Sequence, residues 1–303
     1  MKNYINIIKG SIAITAILFC LVSCGEDPFS TTLEIDPPEH TPRLVVHAYG
    51  STVNGIVRVQ VSESKGILDD TSTENISDAV VTIWSGSNMI ATVPEVGNIS
   101  GFNYFLEDEN LSFAPGETYR IEVEAIGYPK AVGSCTVPQF VPILSTRFEE
   151  DGPETDDFNE SSEIEIDIND PADTENFYEV VAVYGQESGG NLFFNEIFTD
   201  SFDPATEAGI NFRALIMKDI SFDGESKNIP LIIDKFSIQE AEEHLYVLWR
   251  NTTEAHYLFN RTANSQDEQD GNPFSSPVQV YSNMENGIGI FSIVNEQIIK
   301  VEI

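Results

Sequence analysis

Apolar and polar residues alternate with a period of two along most of the chain, and this pattern predicts strands. Leu44-Val45-Val46 is a compact apolar run. Ile56 to Val61 alternates cleanly, with Arg58 and Gln60 on the polar side. Ala79 to Trp84 is β-branched and apolar, and Ser85-Gly86-Ser87-Asn88 turns the chain into Met89 to Val93. Asn103 to Leu106 follows, then a Pro115-Gly116 turn ahead of the alternating Tyr119 to Ala125, and Ala131 to Val137 closes the set. Short strands at regular spacing with Gly and Pro turns between them predict an antiparallel sandwich, immunoglobulin-like or transthyretin-like, over residues 44–138.

After a pause at Pro138 to Pro142 and an acidic run from Glu149 to Glu160, the alternation resumes. Glu163-Ile164-Glu165-Ile166-Asp167-Ile168 puts carboxylates on one face and isoleucines on the other. Phe177–Tyr184, Asn191–Phe198, Ala214–Met217, Ile229–Ile233, Leu245–Trp249, Phe291–Val294 and Ile298–Ile303 continue the strand pattern. One segment changes period. Ala255, Leu258, Phe259 and Thr262 fall at i, i+3, i+4 and i+7, Thr252 or Thr253 is placed to cap, and Glu254 sits at the positive dipole end. This predicts one helix near 253–264, dissolving in the polar stretch Asn264 to Gly271. The fold class is therefore mainly β: an N-terminal sandwich, then a second β-rich domain (139–303) with acidic loops and one helix.

The first residues follow a different logic. Lys2 and Lys9 precede an apolar run, Ser11 to Val22, too short for the roughly 20 residues that span a bilayer. It ends in Leu21-Val22-Ser23-Cys24, which resembles a lipobox at all four positions. Residues 1–23 are thus expected to be a lipoprotein signal peptide, with lipid attached to Cys24 as the membrane anchor. Glu26 and Asp27, directly behind it, resemble the short acidic tag that sends lipoproteins of Bacteroidota to the cell surface. Residues 24–43 carry Pro28, Pro37, Pro38 and Pro42 and read as an extended tether, with one short strand at Thr32 to Ile35. The expected location is the outer membrane, lipid-anchored and facing outward.

The formal net charge is −35, and loss of Lys2 and Lys9 with the signal peptide makes it −37. Such a surface repels phosphate backbones, so nucleic acid is not an expected partner. Of three cysteines, Cys20 lies in the signal peptide and Cys24 takes the lipid, which leaves Cys135 without an intramolecular mate. Its neighbours Val132, Thr136 and Val137 predict a buried strand thiol. A mature chain of about 280 residues is long enough to be stabilised by its core.

No catalytic residues, metal ligands or cofactor motif emerge. His40, His47, His244 and His256 make no i, i+4 pair, there is no Gly-x-Ser-x-Gly elbow, and Gly287-Ile288-Gly289 lacks the third glycine of a dinucleotide fingerprint. Asp167-Ile168-Asn169-Asp170-Pro171-Ala172-Asp173 supplies hard oxygens at alternate positions, which suits Ca²⁺, although Asp170-Pro171 and Asn169 also suit a plain turn. Trp84 and Trp249 sit inside strand patterns and are expected in the core rather than stacked on sugar.

The order of these motifs resembles a known family. The lipobox, the proline-broken tether, Leu44-Val45-Val46, Ser77 to Ile83, Pro115-Gly116-Glu117-Thr118-Tyr119 and Thr136-Val137-Pro138 come first. Asp170-Pro171 with Asn176-Phe177-Tyr178, Asn272-Pro273-Phe274-Ser275-Ser276-Pro277 and Ser282-Asn283 through Phe291 complete the series. The chain resembles the Bacteroidota lipoproteins grouped as domain of unknown function 4249, over nearly the whole mature length. Phe177 departs from the tyrosine often found there. Members of that family are commonly encoded beside TonB-dependent outer-membrane receptors. The resemblance therefore implies a non-catalytic surface accessory subunit of such a transporter, working in nutrient uptake, and it carries over no site residues. Pro273 to Phe291 is the candidate partner-facing loop, or else a clasp across the second domain. A surface adhesin or ligand-binding module, with calcium as its candidate ion, is the other expectation.

Overall fold

The computed structural model describes residues 40–303 apart from 67–68, 70–72, 156–157, 159, 189–190, 211–212, 238–243, 270–275 and 277. The predicted signal peptide, Cys24, Glu26, Asp27 and the strand at Thr32 to Ile35 lie outside the described residues. From Thr41 onward the chain forms one unit, mainly β.

The first half holds β1 (Leu44–Ser51), β2 (Ile56–Glu63), β3 (Val80–Ser85), β4 (Asn88–Val93), β5 (Glu95–Ile99), β6 (Phe102–Glu107), β7 (Thr118–Glu124) and β8 (Ala131–Thr136). The second holds β9 (Ile143–Glu149), β10 (Ser161–Asn169), β11 (Phe177–Ser188), β12 (Asn191–Glu196), β13 (Thr199–Asp200), β14 (Thr206–Ala208), β15 (Leu215–Lys218), β16 (Ser226–Asp234) and β17 (Leu245–Thr252). Helix α1 (Glu254–Gln269), β18 (Met284–Glu285) and β19 (Gly287–Lys300) follow.

These strands make one long sheet, in the order β14-β15-β11-β17-β19-β1-β2-β6-β5, with β12 attached to β11. Two smaller sheets, β18-β8-β7-β3-β4 and β13-β16-β10-β9, accompany it. Two buried clusters result. The first gathers Val46, Val59, Ile83, Ile121, Cys135, Phe291 and Ile293 among others. The second gathers Ile164, Ile166, Ile168, Tyr178, Leu231 and Trp249. The alternation in β10 is realised as predicted: its three isoleucines are fully buried, while Asp167 on the other face is exposed. Trp249 is fully buried too, stacked on Tyr178 at 4.9 Å, and its indole N–H donates to the Val141 carbonyl at 2.7 Å.

The final strand corrects the expectation of two separate strands near the C-terminus. β19 runs unbroken for 14 residues. Its first part pairs with β1, Leu44 opposite Gly287 through Ser51 opposite Val294, and its last part pairs with β17, Asn251 opposite Asn295 through Tyr246 opposite Lys300. The polar residues between the apolar runs looked like a break, yet they have partners. Asn295 Nδ2 donates to the Pro138 carbonyl at 3.2 Å, and Gln297 Oε1 accepts from the Ile143 amide at 3.1 Å. The first cluster is consequently not confined to 44–138, because Met284, Phe291 and Ile293 join it.

The β1–β19 pair is parallel, against the expectation of purely antiparallel pairing. Parallel neighbours need a long crossover, and here nearly the whole fold lies between them. Gly289 permits their close approach. It has φ +118°, and a Cβ there would lie 2.1 Å from the Val46 carbonyl oxygen. The glycines that failed as a dinucleotide motif therefore serve packing.

Three further differences follow from contacts that local pattern does not carry. Helix α1 extends past Asn264 to Gln269: Asn264 is buried, and Gln266 accepts the Val278 amide at 2.9 Å. β9 was not predicted, because only Ile143 on it is buried and Leu144 is exposed. Trp84 is half-buried and outside the first core cluster. Its ring lies under the Arg120 guanidinium at 5.3 Å and its N–H donates to Thr82.

Candidate functional site

At one end of the long sheet, α1 packs over β11, β14 and β15 and leaves two adjoining clefts. The helix begins where the sequence placed it: the Thr253 hydroxyl accepts the His256 amide at 3.2 Å, an N-cap bond. Glu254, Tyr257, Leu258 and Arg261 follow at helical spacing, so one face of α1 forms a wall of the larger cleft. Its volume is about 410 Å³, and Phe177 and Ile220 line it as well. Phe177 and Tyr257 have ring centroids 5.5 Å apart. Glu207 receives the Tyr257 hydroxyl and the Arg261 Nε–H, the latter at 2.8 Å. Burial, reinforced by that hydrogen bond, pushes the Tyr257 phenol up to about 12.

The smaller cleft, about 220 Å³, shares Lys218 and Ile220 with the larger and is lined otherwise by Asp173, Thr174, Glu175, Asp219 and Asp223. Two loops build it. Asp170-Pro171 ends β10, and a single 3₁₀ turn, Asp219–Ser221, follows β15. The loops are knitted together: the Asp170 amide donates to Glu225 at 3.0 Å, and the Asp219 amide to Asn176 at 3.2 Å. Asp170 accepts the Tyr178 hydroxyl on one oxygen and the Gly224 amide, at 3.0 Å, on the other. Asp219 Oδ2 accepts the Asn176 amide at 2.6 Å. Burial, with Asp170 and Asp223 nearby, holds the Asp219 carboxyl above its ordinary range despite that hydrogen bond.

Carboxylate oxygens of Asp170, Asp219 and Asp223 lie within 4.8 Å of one another. This is not the set the sequence offered. Asp167 points along the outer sheet face to Ser145 and Asn228, at 2.7 and 2.9 Å, and Asn169 accepts from Ser226 at 3.0 Å. Only Asp170 of the predicted alternate oxygens joins the cluster. Its partners come from a loop about fifty residues later, which spacing could not reveal. Lys218 pairs with Glu175 and also lies 5.3 Å from the Phe177 ring.

Beneath the helix is a second polar assembly, one that no local motif foreshadows. His256 Nε2 lies 2.8 Å from Glu179 Oε2, and His256 Nδ1 lies 3.1 Å from the Ser292 hydroxyl. Arg250 bridges Glu179 at 2.5 Å and Glu296 at 2.6 Å. Burial alone would push the Glu179 carboxyl up, but His256 and Arg250 more than offset it and hold the group well below the usual carboxylate range. The serine, histidine and carboxylate resemble a hydrolytic relay in composition only. All three are buried, Ser292 completely, and none lines either cleft. Their arrangement straps α1 to β11 and β19.

Pro273, Phe274 and Ser275 of the candidate partner-facing loop lie outside the described residues. Beyond them the segment behaves as a clasp. The Val278 amide donates to Gln266 and the Tyr281 amide to Thr262, both at 2.9 Å on α1, and Met284 then pairs with Gly133 in the first sandwich.

A family model described as "Domain of unknown function (DUF4249)" matches residues 28–299. The chain belongs to the DUF4249 family. The match runs through both buried clusters, the clefts and the clasp, so the two sandwiches on one sheet are this DUF4249 chain's architecture. No curated protein matches it. Among the described residues, no helix is long and apolar enough to cross a membrane.

Proposed function

We propose that this chain is a non-catalytic lipoprotein, held to the outer membrane by lipid on Cys24 and displayed at the cell surface, where it serves as an accessory subunit of a TonB-dependent transporter. The observation that carries the reading is the Leu21-Val22-Ser23-Cys24 lipobox with Glu26 and Asp27 behind it, ahead of a proline-rich run that reaches the fold at Thr41. The transporter partner is supported by the company that relatives in the family keep. Exposed Phe193, Phe198 and Phe202 add apolar surface suited to a protein contact. A tagged chain purified in mild detergent from outer membranes at native expression is expected to bring a large β-barrel receptor with it. Recovery as a lone monomer would sink the proposal, and Cys24→Ala is expected to leave the membrane fraction.

The paired clefts favour a second reading, a ligand-binding surface module, with Asp170, Asp219 and Asp223 as candidate calcium ligands. Calorimetry with CaCl₂ on the mature chain tests the calcium form of it; no heat and no shift in melting would retire that form.

A further inference from the structure

The chain enters the fold at Thr41, and the residues around that point define one end of the first sandwich. Leu44, at the start of β1, lies opposite Glu63 in β2 and Gly287 in β19. Asn286, one residue before Gly287, donates from Nδ2 to the Lys130 carbonyl at 3.3 Å, and the Tyr128 hydroxyl donates to Glu63. The turn between β7 and β8 is thereby fixed beside the tether's entry. It is tight: the Tyr128 amide donates to the Ala125 carbonyl at 3.3 Å, and Gly127 supplies φ +91° at the third position. The second position is Ile126, which is 86 % exposed, the most of any large apolar residue described. Val80, opposite Glu124, adds an exposed apolar group on the adjacent strand. At the far end of the same sheet, the turn between β3 and β4 is Ser85-Gly86-Ser87-Asn88. Of these two turns, only the one at the tether's end has an apolar tip.

We propose that the Ala125–Tyr128 turn is the molecule's membrane contact, with Ile126 entering the lipid interface beside the anchor; the inference rests on the lipid-anchor reading above. Residues 24–40 span roughly 20–25 Å as a flexible chain and at most about 55 Å when extended. The turn is therefore held near any surface that holds Cys24, and docking becomes an intramolecular step that a weak contact can drive. The attraction is apolar, not ionic. Lys130 is paired with both Glu122 and Glu124, and a chain of net charge −35 gains nothing from anionic headgroups. Tyr128, half-buried with its hydroxyl tied to Glu63, is the kind of side chain found at the boundary between headgroups and hydrocarbon. A stable protein contact buries roughly 800 Å² on each partner. The tip offers little more than Ile126 and Val80, so a fluid lipid interface fits it better than a protein partner.

The test uses the mature chain with Cys24 replaced by a hexahistidine tag, held on phosphatidylcholine vesicles that contain a nickel-chelating lipid. A fluorophore is attached at Pro129→Cys or, at the far end, at Ser87→Cys; both positions are exposed, and Cys135 is buried and does not compete for the label. Quenching by a nitroxide carried on the lipid is expected to be several-fold stronger at position 129 than at position 87. Ile126→Ser is expected to melt like the parent and to weaken the contact about tenfold, bringing quenching at 129 down toward that at 87. High salt is expected to leave the difference in place, as it must for an apolar contact. The proposal is overturned if the two positions are quenched alike, if Ile126→Ser is quenched like its parent, or if salt abolishes the difference. The nickel tether stands in for lipid on Cys24. Failure here therefore leaves the anchor reading standing, and failure of the anchor reading, seen as Cys24→Ala staying in the membrane fraction, leaves this measurement intact.

Discussion

Gly289 and Glu179 show how much of this fold depends on single side chains, or on the lack of one. A methyl at position 289 meets the Val46 carbonyl in the strand alongside, on a backbone at φ +118° that L-residues rarely adopt. Gly289→Ala is expected to cost more than about 2 kcal/mol, read as a lower urea midpoint at unchanged slope; a midpoint within error of the parent would refute the packing argument. Glu179 makes a prediction with a sign. Its pKa is depressed on folding from an ordinary value of 4.5, so its stabilisation is complete above that value and is lost as pH falls toward the folded one. The parent should therefore lose stability between about pH 5 and pH 3. Glu179→Gln should start about 3 kcal/mol lower at pH 7, because Arg250 and His256 lose a buried partner, and should then fall less steeply. Parallel pH profiles of urea stability for the two proteins would show that the network does not titrate. Asp219 has the opposite sign. Its raised pKa opposes folding at neutral pH, so Asp219→Asn is expected to melt higher at pH 7 and to lose that advantage in acid; equal melting at both pH values would refute this.

At the scale of elements, legibility followed burial. β2, β7 and β10 were readable because one face of each is buried and the other wet, so the period of two is written in the residues. β5 has no buried residue and β9 only one, so no alternation marks them. Trp84 misled because an apolar strand pattern does not say which face a large ring takes, whereas Trp249 was placed correctly among apolar neighbours on both sides. The helix was legible at its start, where capping is local, and not at its end, where Gln266 accepts the Val278 amide, a contact set by the folded chain. The cleft residues could not be assembled from sequence at all, since they come from β11, β14, β15, α1 and the loops around them. The N-cap provides the check at this scale. Thr253→Ala removes the hydroxyl that accepts the His256 amide and is expected to cost about 1 kcal/mol. A urea midpoint within error of the parent would mean that the cap is idle.

For the whole molecule, the decisive feature is β19, one strand that belongs to two cores. A strand centred in a sheet contributes pairing on both sides and side chains to each face. Here it brings Phe291 and Ile293 to the first cluster, while Ile299 packs against the second. The sequence suggests a division near residue 138, but a fragment ending there lacks β18 and β19 and would leave β1 an open edge beside an unfilled core. Such a chain loses Met284, Phe291 and Ile293 from a cluster whose other members need their burial, and large apolar deletions cost about 2–5 kcal/mol each. Summed, that exceeds much of the roughly 5–15 kcal/mol of a typical domain. A fragment of residues 41–140 is therefore expected to show no cooperative melt by circular dichroism and little amide dispersion by NMR. The intact mature chain is expected to unfold in a single transition, with fluorescence of Trp84 and Trp249, one in each half, lost together. Two separated transitions, or a fragment that melts cooperatively on its own, would mean that β19 is added to a sandwich already complete and does not unite the two.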